Sequence, residues 1–517
     1  MTIHKEWVRK EGFLYFIAAL TSLLLSFWLS YQAAIINPDA VCYLLSAQAV
    51  GELGLSGAMH LCAQSQWPFY SALIYSVVRL THLSYPIAAY FIDALFTLLS
   101  VLTFITIVKQ IGGSRRVLWL AAAVILLSHE FNSVREYIIR DHGFWAFYLL
   151  SILCLLRYID KPTWTMALAW SVSLIAATLF RIEGAMFLLA LPFLIWFYPA
   201  YTFKERALSF FRLNLPVLLI CALIISWLAL NPQQTVGKLG RVAEVTTQFQ
   251  NGLNVMTARY DAVKTALAQN VLPIESAKHA GFVLVLLMVS WYVVSVIGNL
   301  SFPYAILVLY AWVRRAGHFK QAALFVLIGY LLVNLVVTSA FFAERLFLSK
   351  RYILAFSLVF MVWVPFALDD LWQRRNEFAY RIGLAVAVIF IVISSAGGII
   401  DFGYSKTYVR EAGVWLAKNV PATASLYVND SQLMYYSGHF GNQVFELSRT
   451  DNYPNNIAQG RWKQYDYIAL RLAKHSAAEN NQVMTAIGVA PVQKFTNKRG
   501  DRVLIFDIKR TLPAGTM

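Results

Sequence analysis

Four short stretches bring ionisable side chains together in patterns that can do chemistry. The first is Asn37-Pro38-Asp39-Ala40-Val41-Cys42-Tyr43. Pro38 can start a helix, which puts Asp39 in the first turn, near the positive end of the helix dipole. A carboxylate there is an ordinary helix-start residue or, held against a hydroxyl, a general base. The second stretch, Arg135-Glu136-Tyr137-Ile138-Ile139-Arg140-Asp141-His142, packs two arginines, two acids and a histidine between apolar runs. Glu136 and Arg140 stand four residues apart, the spacing of a solvated helical pair, and the same residues suit the lining of a polar site. The third is Arg181-Ile182-Glu183, where the flanking apolar runs are nearly continuous. Charges at that depth need partners, from each other or from Asp141, or else a ligand. The fourth joins Glu344-Arg345-Leu346 to Lys350-Arg351-Tyr352. Arginine suits a phosphate because its planar fork donates two hydrogen bonds at once. Contacts to anionic lipid headgroups are the plainer use of Arg345, Lys350 and Arg351.

The elements that must position these residues are membrane spans. The 517 residues are 59% hydrophobic and only 14% charged, whereas soluble domains run about 45–50% apolar and about 25% charged. A soluble enzyme is excluded, and 15% aromatic residues with four cysteines exclude disorder and disulfide scaffolds. Apolar segments run at 12–34, 86–108, 117–131, 143–159, 164–180, 184–199, 213–230, 280–313, 321–342, 352–368 and 382–400. Every second junction is basic: Lys5, Arg9 and Lys10; Lys109, Arg115 and Arg116; Arg157 and Lys161; Lys204, Arg206 and Arg212; Arg314, Arg315 and Lys320; Arg374, Arg375 and Arg381. Cytoplasmic loops carry the Lys/Arg excess, so the N-terminus is expected inside and, after about eleven crossings, the C-terminus outside. The net charge of +16 is then mainly a topogenic signal and no nucleic-acid patch is expected. The 280–313 run would make about 50 Å of helix against a hydrocarbon core of about 30 Å. Gly298 and Pro303 are expected to break it. The first run reads as a span, too long for the apolar part of a cleaved signal peptide.

Outside the membrane stand loops at about 35–85, 129–142 and 231–279, the last with helical spacing around 242–269. The expected division is a membrane module over 1–400 and a small α/β domain over 401–517. That tail reads as a helix at 406–419 ended by Pro421, strands at 425–428, 465–470 and 502–508, and a helix at 477–487. Cys42 and Cys62 both fall in the first loop. An oxidising compartment permits a disulfide between them; two small buried thiols are the equal alternative. No His/Cys cluster has zinc-site spacing.

Near Asp39 lie two amphipathic pieces, 40–53 and 67–80, rich in Tyr, Trp and Leu, of the kind that lie in a membrane interface. One candidate base, several candidate phosphate clamps and such pieces suit a substrate with a lipid tail and a charged, polar head.

On these residues the chain resembles the GT-C glycosyltransferases, membrane enzymes that include protein O-mannosyltransferases and the lipid A aminoarabinose transferase. The matching elements are Asp39 after the first span, Trp67-Pro68-Phe69-Tyr70, the Arg/acid second loop, Phe180-Arg181-Ile182-Glu183-Gly184, Lys350-Arg351-Tyr352 and Tyr435-Tyr436-Ser437-Gly438. They follow the family's order over most of the chain. The resemblance implies a polytopic α-helical GT-C-like fold and a polyprenyl-phosphate-linked sugar donor. It also implies transfer, with inversion, on the periplasmic face of a bacterial inner membrane. It implies that Asp39 takes the proton from the acceptor hydroxyl. Donor phosphate and sugar would be held among Arg135, Glu136, Arg140, Asp141, His142, Arg181, Glu183, Arg345, Lys350, Arg351 and Tyr352. Protein O-mannosyltransferases place two acids side by side in the first loop; here Ala40 follows Asp39. The acceptor is therefore expected among lipid A, lipopolysaccharide core, O-antigen, other envelope glycans or a protein. No glycine-rich nucleotide loop is present, in keeping with a lipid-linked donor. Some relatives use a divalent metal, toward which Glu136, Asp141 and His142 would contribute; no essential metal or other cofactor is expected. The main alternative is a transporter or flippase of a lipid-linked saccharide, which would need neither a base at Asp39 nor a folded external domain. A non-catalytic assembly subunit would leave the clustered charges without a role.

Overall fold

The structure is a computed structural model that describes residues 2–230, 241–317, 319–439, 453–474 and 476–508. Apolar runs become helices because, in lipid, each backbone N–H and C=O must find its partner within the segment. In chain order the helices are α1 (Thr2–Gln32), α2 (Pro38–Ala58), α3 (Phe69–Thr81), α4 (Tyr85–Gln110), α5 (Arg115–Leu126), α6 (His129–Ser133) and α7 (Asp141–Asp160). Next come α8 (Trp164–Phe180), α9 (Glu183–Leu194), α10 (Phe203–Leu230), α11 (Arg241–Asn270), α12 (Ala280–Leu300), α13 (Phe302–Arg314) and α14 (Gln321–Arg345). The series continues with α15 (Lys350–Met361), α16 (Val364–Gln373), α17 (Phe378–Ile399) and α18 (Thr407–Asn419). It ends with α19 (Ser431–Ser437), α20 (Tyr453–Ala458) and α21 (Ala477–Ile487).

Among the described residues, 8 stretches are long and apolar enough to cross a membrane, and Phe69–Thr81, Trp164–Phe180, Glu183–Phe197 and Phe302–Arg314 are shorter apolar helices. The protein is a polytopic helical membrane protein. The expected count of about eleven stands against 8 because the 117–131, 164–180 and 184–199 runs form shorter helices. The 117–131 run yields only the 12-residue α5, begun by Ser114, whose hydroxyl accepts from the Val117 amide. At 1.5 Å per residue α5 is about 18 Å long, short of a bilayer core. The 280–313 run breaks as expected, but at Ser301, whose φ of 67° ends α12 while Pro303 sits in the first turn of α13.

The chain divides into two compact units. The first comprises Met1–Leu29, Phe91–Glu136 and Arg140–Ile400; the second comprises Ser30–Tyr90, Tyr137–Ile139 and Asp401–Met517.

In the first unit, α7 and α8 pack side by side, and α7 is buried along most of its length. A polar knot lies in this core: Tyr330 Oη shares a hydrogen bond with Ser151 Oγ at 2.7 Å and accepts from Trp170 Nε1 at 3.1 Å. Asn334 donates to the Tyr330 carbonyl at 2.8 Å and to the Tyr148 hydroxyl. Polar groups inside a membrane bundle need such partners, and here they lock α7, α8 and α14 in register. One end of the unit carries paired basic junctions, Lys109 to Glu11 at 2.6 Å, Arg116 to Asp369 and Arg374 to Asp370 at 3.1 Å, and beside Lys109 the neutral Gln110 donates to Asp160 at 2.8 Å. Asp160 is the last residue of α7 and Asp141 its first, so the acid–arginine cluster described below lies at the other end, about 30 Å away along the helix.

In the second unit, α2 and α3 pack against each other, and α2 bends at Gly54, whose φ of 70° only glycine adopts without strain. The tail folds around a four-stranded sheet, β1 (Leu426–Val428), β2 (Tyr467–Leu472), β3 (Gln493–Thr496) and β4 (Arg502–Asp507), in the order β1-β2-β4-β3. β1 pairs parallel to β2 in the register Leu426 to Tyr467, and the other two pairings are antiparallel. Tyr427, Trp462, Ile468, Leu470, Val483, Leu504 and Phe506 fill its core. The expected small α/β domain is present; β3 and α19 had not been anticipated.

Candidate functional site

Pro38 occupies the first turn of α2, so its fixed φ starts the helix and Asp39 follows in that turn. Asn37 precedes it and is spent on the backbone: its Oδ1 accepts from the Ile138 amide at 2.9 Å and its Nδ2 donates to the Ile138 carbonyl at 3.3 Å. The Asp39 carboxylate is half-exposed, and Gln64 Nε2 donates to its Oδ1 at 3.4 Å. Gln64 sits in the turn Ala63–Gln66, next to Cys62, and the Cys62–Cys42 disulfide ties that turn to α2 across a Cα–Cα distance of 6.1 Å.

In the first unit, the break between α8 and α9 presents Arg181. Its Nη1 binds Asp141, its Nη2 binds Glu183, and its guanidinium lies 4.4 Å from the Tyr352 ring centroid. The pairing foreseen with either acid is in fact made with both. Arg140 and Arg351 are close enough to act on the Asp141 carboxylate. Three arginines and two acids thus gather around the break between α8 and α9. Gly184 makes the break possible: a Cβ there would stand 2.6 Å from the Thr178 amide nitrogen and 3.0 Å from the Ala177 carbonyl carbon. Arg181, Glu183, Arg351 and Tyr352 line one small pocket whose other walls are Phe144, Phe187, Asn334, Val337, Thr338, Phe341 and Ala355. Charged groups and an aromatic ring thus share a narrow space with largely apolar walls, which suits an anion carried on an apolar chain.

The remaining foreseen residues have other positions. Arg135 is 3% exposed and ties the turn after α6 to α1, donating to Asn132 Oδ1, to the Ser22 carbonyl and to Ser26 Oγ at 2.8–2.9 Å. Burial without an acid alongside pushes its guanidinium down to about 9, still protonated at neutral pH. His142 is turned inward, Nε2 to the Val134 carbonyl at 3.1 Å and Nδ1 to Thr97 Oγ1 at 3.3 Å. The first contact requires a proton on Nε2. Glu136 and Arg140 are not a helical pair, because α6 ends at Ser133 and 134–140 is turn and extended chain. Lys350 is exposed and binds Glu130 at 2.5 Å. Arg345 is exposed, pairs with Glu344 at 3.2 Å, and does not line the pocket.

Sequence reasoning missed Glu130, absorbed into an apolar run; Gln64, a neutral residue in a turn; and Asp93, an acid 2% exposed within α4. It also missed a polar group in the tail. Arg471 on β2 donates to Asp430 at 2.6 Å, to Gln432 at 2.9 Å and to the Tyr408 hydroxyl at 3.2 Å. Burial works against the Arg471 charge, but Asp430 and Tyr408 more than offset it and hold the guanidinium above its usual value. Burial also pushes the Tyr436 phenol up, so it is a neutral hydroxyl at physiological pH.

Among the described residues the donor set does not fit a bound metal. Asp141 and Glu183 are committed to Arg181, Glu130 to Lys350, and both ring nitrogens of His142 have partners. Among the described residues no three His, Cys, Asp or Glu side chains gather around a common point.

Residues 81–238 match the family model described as dolichyl-phosphate-mannose-protein mannosyltransferase. No curated protein matches the sequence. Among solved structures, the chain is similar to the archaeal oligosaccharyltransferase AglB from Archaeoglobus fulgidus in complex with an inhibitory peptide and a dolichol-phosphate. There the TM-score is 0.54 at 13% identity, covering 98% of this chain and 76% of that one. It is similar to ArnT from Cupriavidus metallidurans bound to undecaprenyl phosphate, with a TM-score of 0.51 at 15% identity over 96% of this chain and 98% of that one. The arabinofuranosyltransferase AftD from Mycobacteria gives 0.50 at 14% identity, covering 96% of this chain but only 40% of AftD. At these identities the likeness is one of fold.

Proposed function

We propose that the chain is a GT-C-type inverting glycosyltransferase that moves a sugar from a polyprenyl-phosphate donor to a cell-envelope acceptor, a reading that its likeness in fold to AglB and ArnT supports. The acceptor is lipid A, a lipopolysaccharide or O-antigen glycan, or a protein. The reaction takes place on the periplasmic face of a bacterial inner membrane, with the N-terminus cytoplasmic and the tail outside. The observation that carries this reading is the pocket in which Arg181, Arg351 and Tyr352 stand over apolar and aromatic walls. A lipid phosphate needs both features. Two solved relatives bound to dolichol-phosphate and undecaprenyl phosphate support the choice of ligand. The Cys42–Cys62 disulfide supports an oxidising compartment for the first loop.

In the reaction, the acceptor hydroxyl oxygen bonds to the anomeric carbon as that carbon's bond to the phosphate oxygen breaks. Asp39 takes the hydroxyl proton, and polyprenyl phosphate leaves with its charge increased. A positioned carboxylate base contributes about 10²–10⁴-fold. In this reading, positive charge from Arg181 and Arg351 offsets the charge gained by the leaving phosphate. Gln64 orients Asp39. No metal is given a role.

The test is transfer of radiolabelled sugar from the polyprenyl-phosphate pool of cell membranes, wild type beside Asp39→Asn at matched expression. The expected result is labelled envelope acceptor with the wild type, and a loss of about 10²–10⁴-fold with donor binding retained in the variant. Full transfer by Asp39→Asn would remove the base assignment. Flipping of the labelled lipid without transfer would favour a transporter.

A further inference from the structure

The turn that delivers Asp39 is gripped from the far end of the chain. The Ile36 amide donates to the Tyr436 hydroxyl at 2.9 Å, and the Ile36 carbonyl accepts from Gln432 Nε2. Both backbone groups of one buried residue are thus held by side chains on α19, about four hundred residues away in sequence. Gln432 is itself fixed: it is 5% exposed, and its Oε1 accepts from Arg471 Nη1. The same nitrogen binds Asp430, whose other oxygen caps α19 by accepting from the Leu433 amide at 2.9 Å. A line of hydrogen bonds therefore runs from β2 through Gln432 to Ile36. Beyond Ile36 the chain has little freedom left: Asn37 is pinned to Ile138, and the Pro38 ring sets the next φ. Asp39 is the first residue after these constraints whose side chain is half-exposed.

We propose that Gln432 and Tyr436 are positioning residues that orient the Asp39 carboxylate through the Ile36 peptide, so that the tail sets the aim of the base. This rests on the reading of Asp39 as the base. A displacement of one ångström is enough to spoil proton transfer, because it needs heavy atoms within about 2.6–3.2 Å. Side chains that only anchor the tail would not need to take both backbone groups of a residue three positions before that carboxylate.

The experiment uses the full-length protein with Tyr436→Phe and Gln432→Glu. Tyr436→Phe removes the acceptor for the Ile36 amide; Gln432→Glu keeps an acceptor for Arg471 but has no hydrogen for the Ile36 carbonyl. Hydrogen exchange over residues 33–40 is expected to speed up in both while exchange in β2 is unchanged. With the radiolabelled membrane pool as donor, the maximal transfer rate is expected to fall about tenfold or more in each, with the half-saturating amount of membrane unchanged. Combined with Asp39→Asn, neither substitution should lower the residual rate further, since residues acting through one group do not add. Wild-type transfer by both single variants, or unchanged exchange over 33–40, overturns the positioning role while leaving the base assignment standing. An additional loss in the Asp39→Asn background also overturns it, because the effect would then act elsewhere. Full activity of Asp39→Asn alone overturns the base assignment and, with it, the positioning role.

Discussion

Arg181 is where one side chain carries the most electrostatic weight, since it answers two buried acids at once. Arg181→Ala is expected to cost about 3–5 kcal/mol, because it strands carboxylates whose desolvation is no longer offset. Denaturant unfolding in detergent checks this, and adding Asp141→Asn should restore part of the loss. Arg351→Ala tests the other role. Losing a hydrogen bond to a charged group, at about 1.5–3 kcal/mol, predicts a fall in kcat/KM of about tenfold to hundredfold. A fall confined to stability would instead assign Arg351 to the fold. That these residues belong together was legible from their types and depth: a charge between nearly continuous apolar runs must be answered. Which acid answers which base was not. Arg135 and Lys350 look alike in sequence, yet one is enclosed against α1 while the other is exposed and bound to Glu130.

At the scale of elements, the break between α8 and α9 holds Arg181 in place, and Gly184 sets how tightly it closes. Gly184→Ala forces a methyl group against the backbone of Ala177 and Thr178. Overpacking of this kind costs about 1–3 kcal/mol, and here it also moves Arg181, so thermal stability and transfer should fall together. An unchanged transfer rate in a destabilised Gly184→Ala protein would separate the break from the chemistry. The start of α2 was readable because proline at a first turn has a single meaning, and the 11-residue α21 was readable from its helical periodicity. The short α5 was not, since a hydropathy run does not mark where a helix stops within it. Strand β3 escaped notice for a related reason. Its residues, Gln493 to Thr496, alternate half-buried and exposed on a strand that, among the described residues, pairs only with β4, so it carries almost no apolar signal.

At the scale of the whole molecule, the unit that holds Asp39 is assembled from three separated stretches, 30–90, 137–139 and 401–517. Its one covalent cross-link among the described residues joins Cys42 to Cys62 across a sequence separation of 20. Closing a loop of that size stabilises a fold by about 3 kcal/mol. Reduction, or Cys42→Ser with Cys62→Ser, is expected to lower the melting temperature and loosen the turn that carries Gln64. Transfer should fall with it, and equal activity before and after reduction would show that the turn holds without the bridge. Composition and hydropathy determined by themselves that this chain lives in a membrane, and the short periodic runs after residue 400 that an α/β domain follows the last span. Those are local quantities, sums over neighbouring residues, and any reader of the chain can add them. Only the tertiary structure decided that Arg181 binds two acids, that Arg135 and His142 face inward, and that Gln432 and Tyr436 grip Ile36. Such pairings depend on distances between groups tens to hundreds of residues apart, and no property of either partner's own neighbourhood encodes those distances.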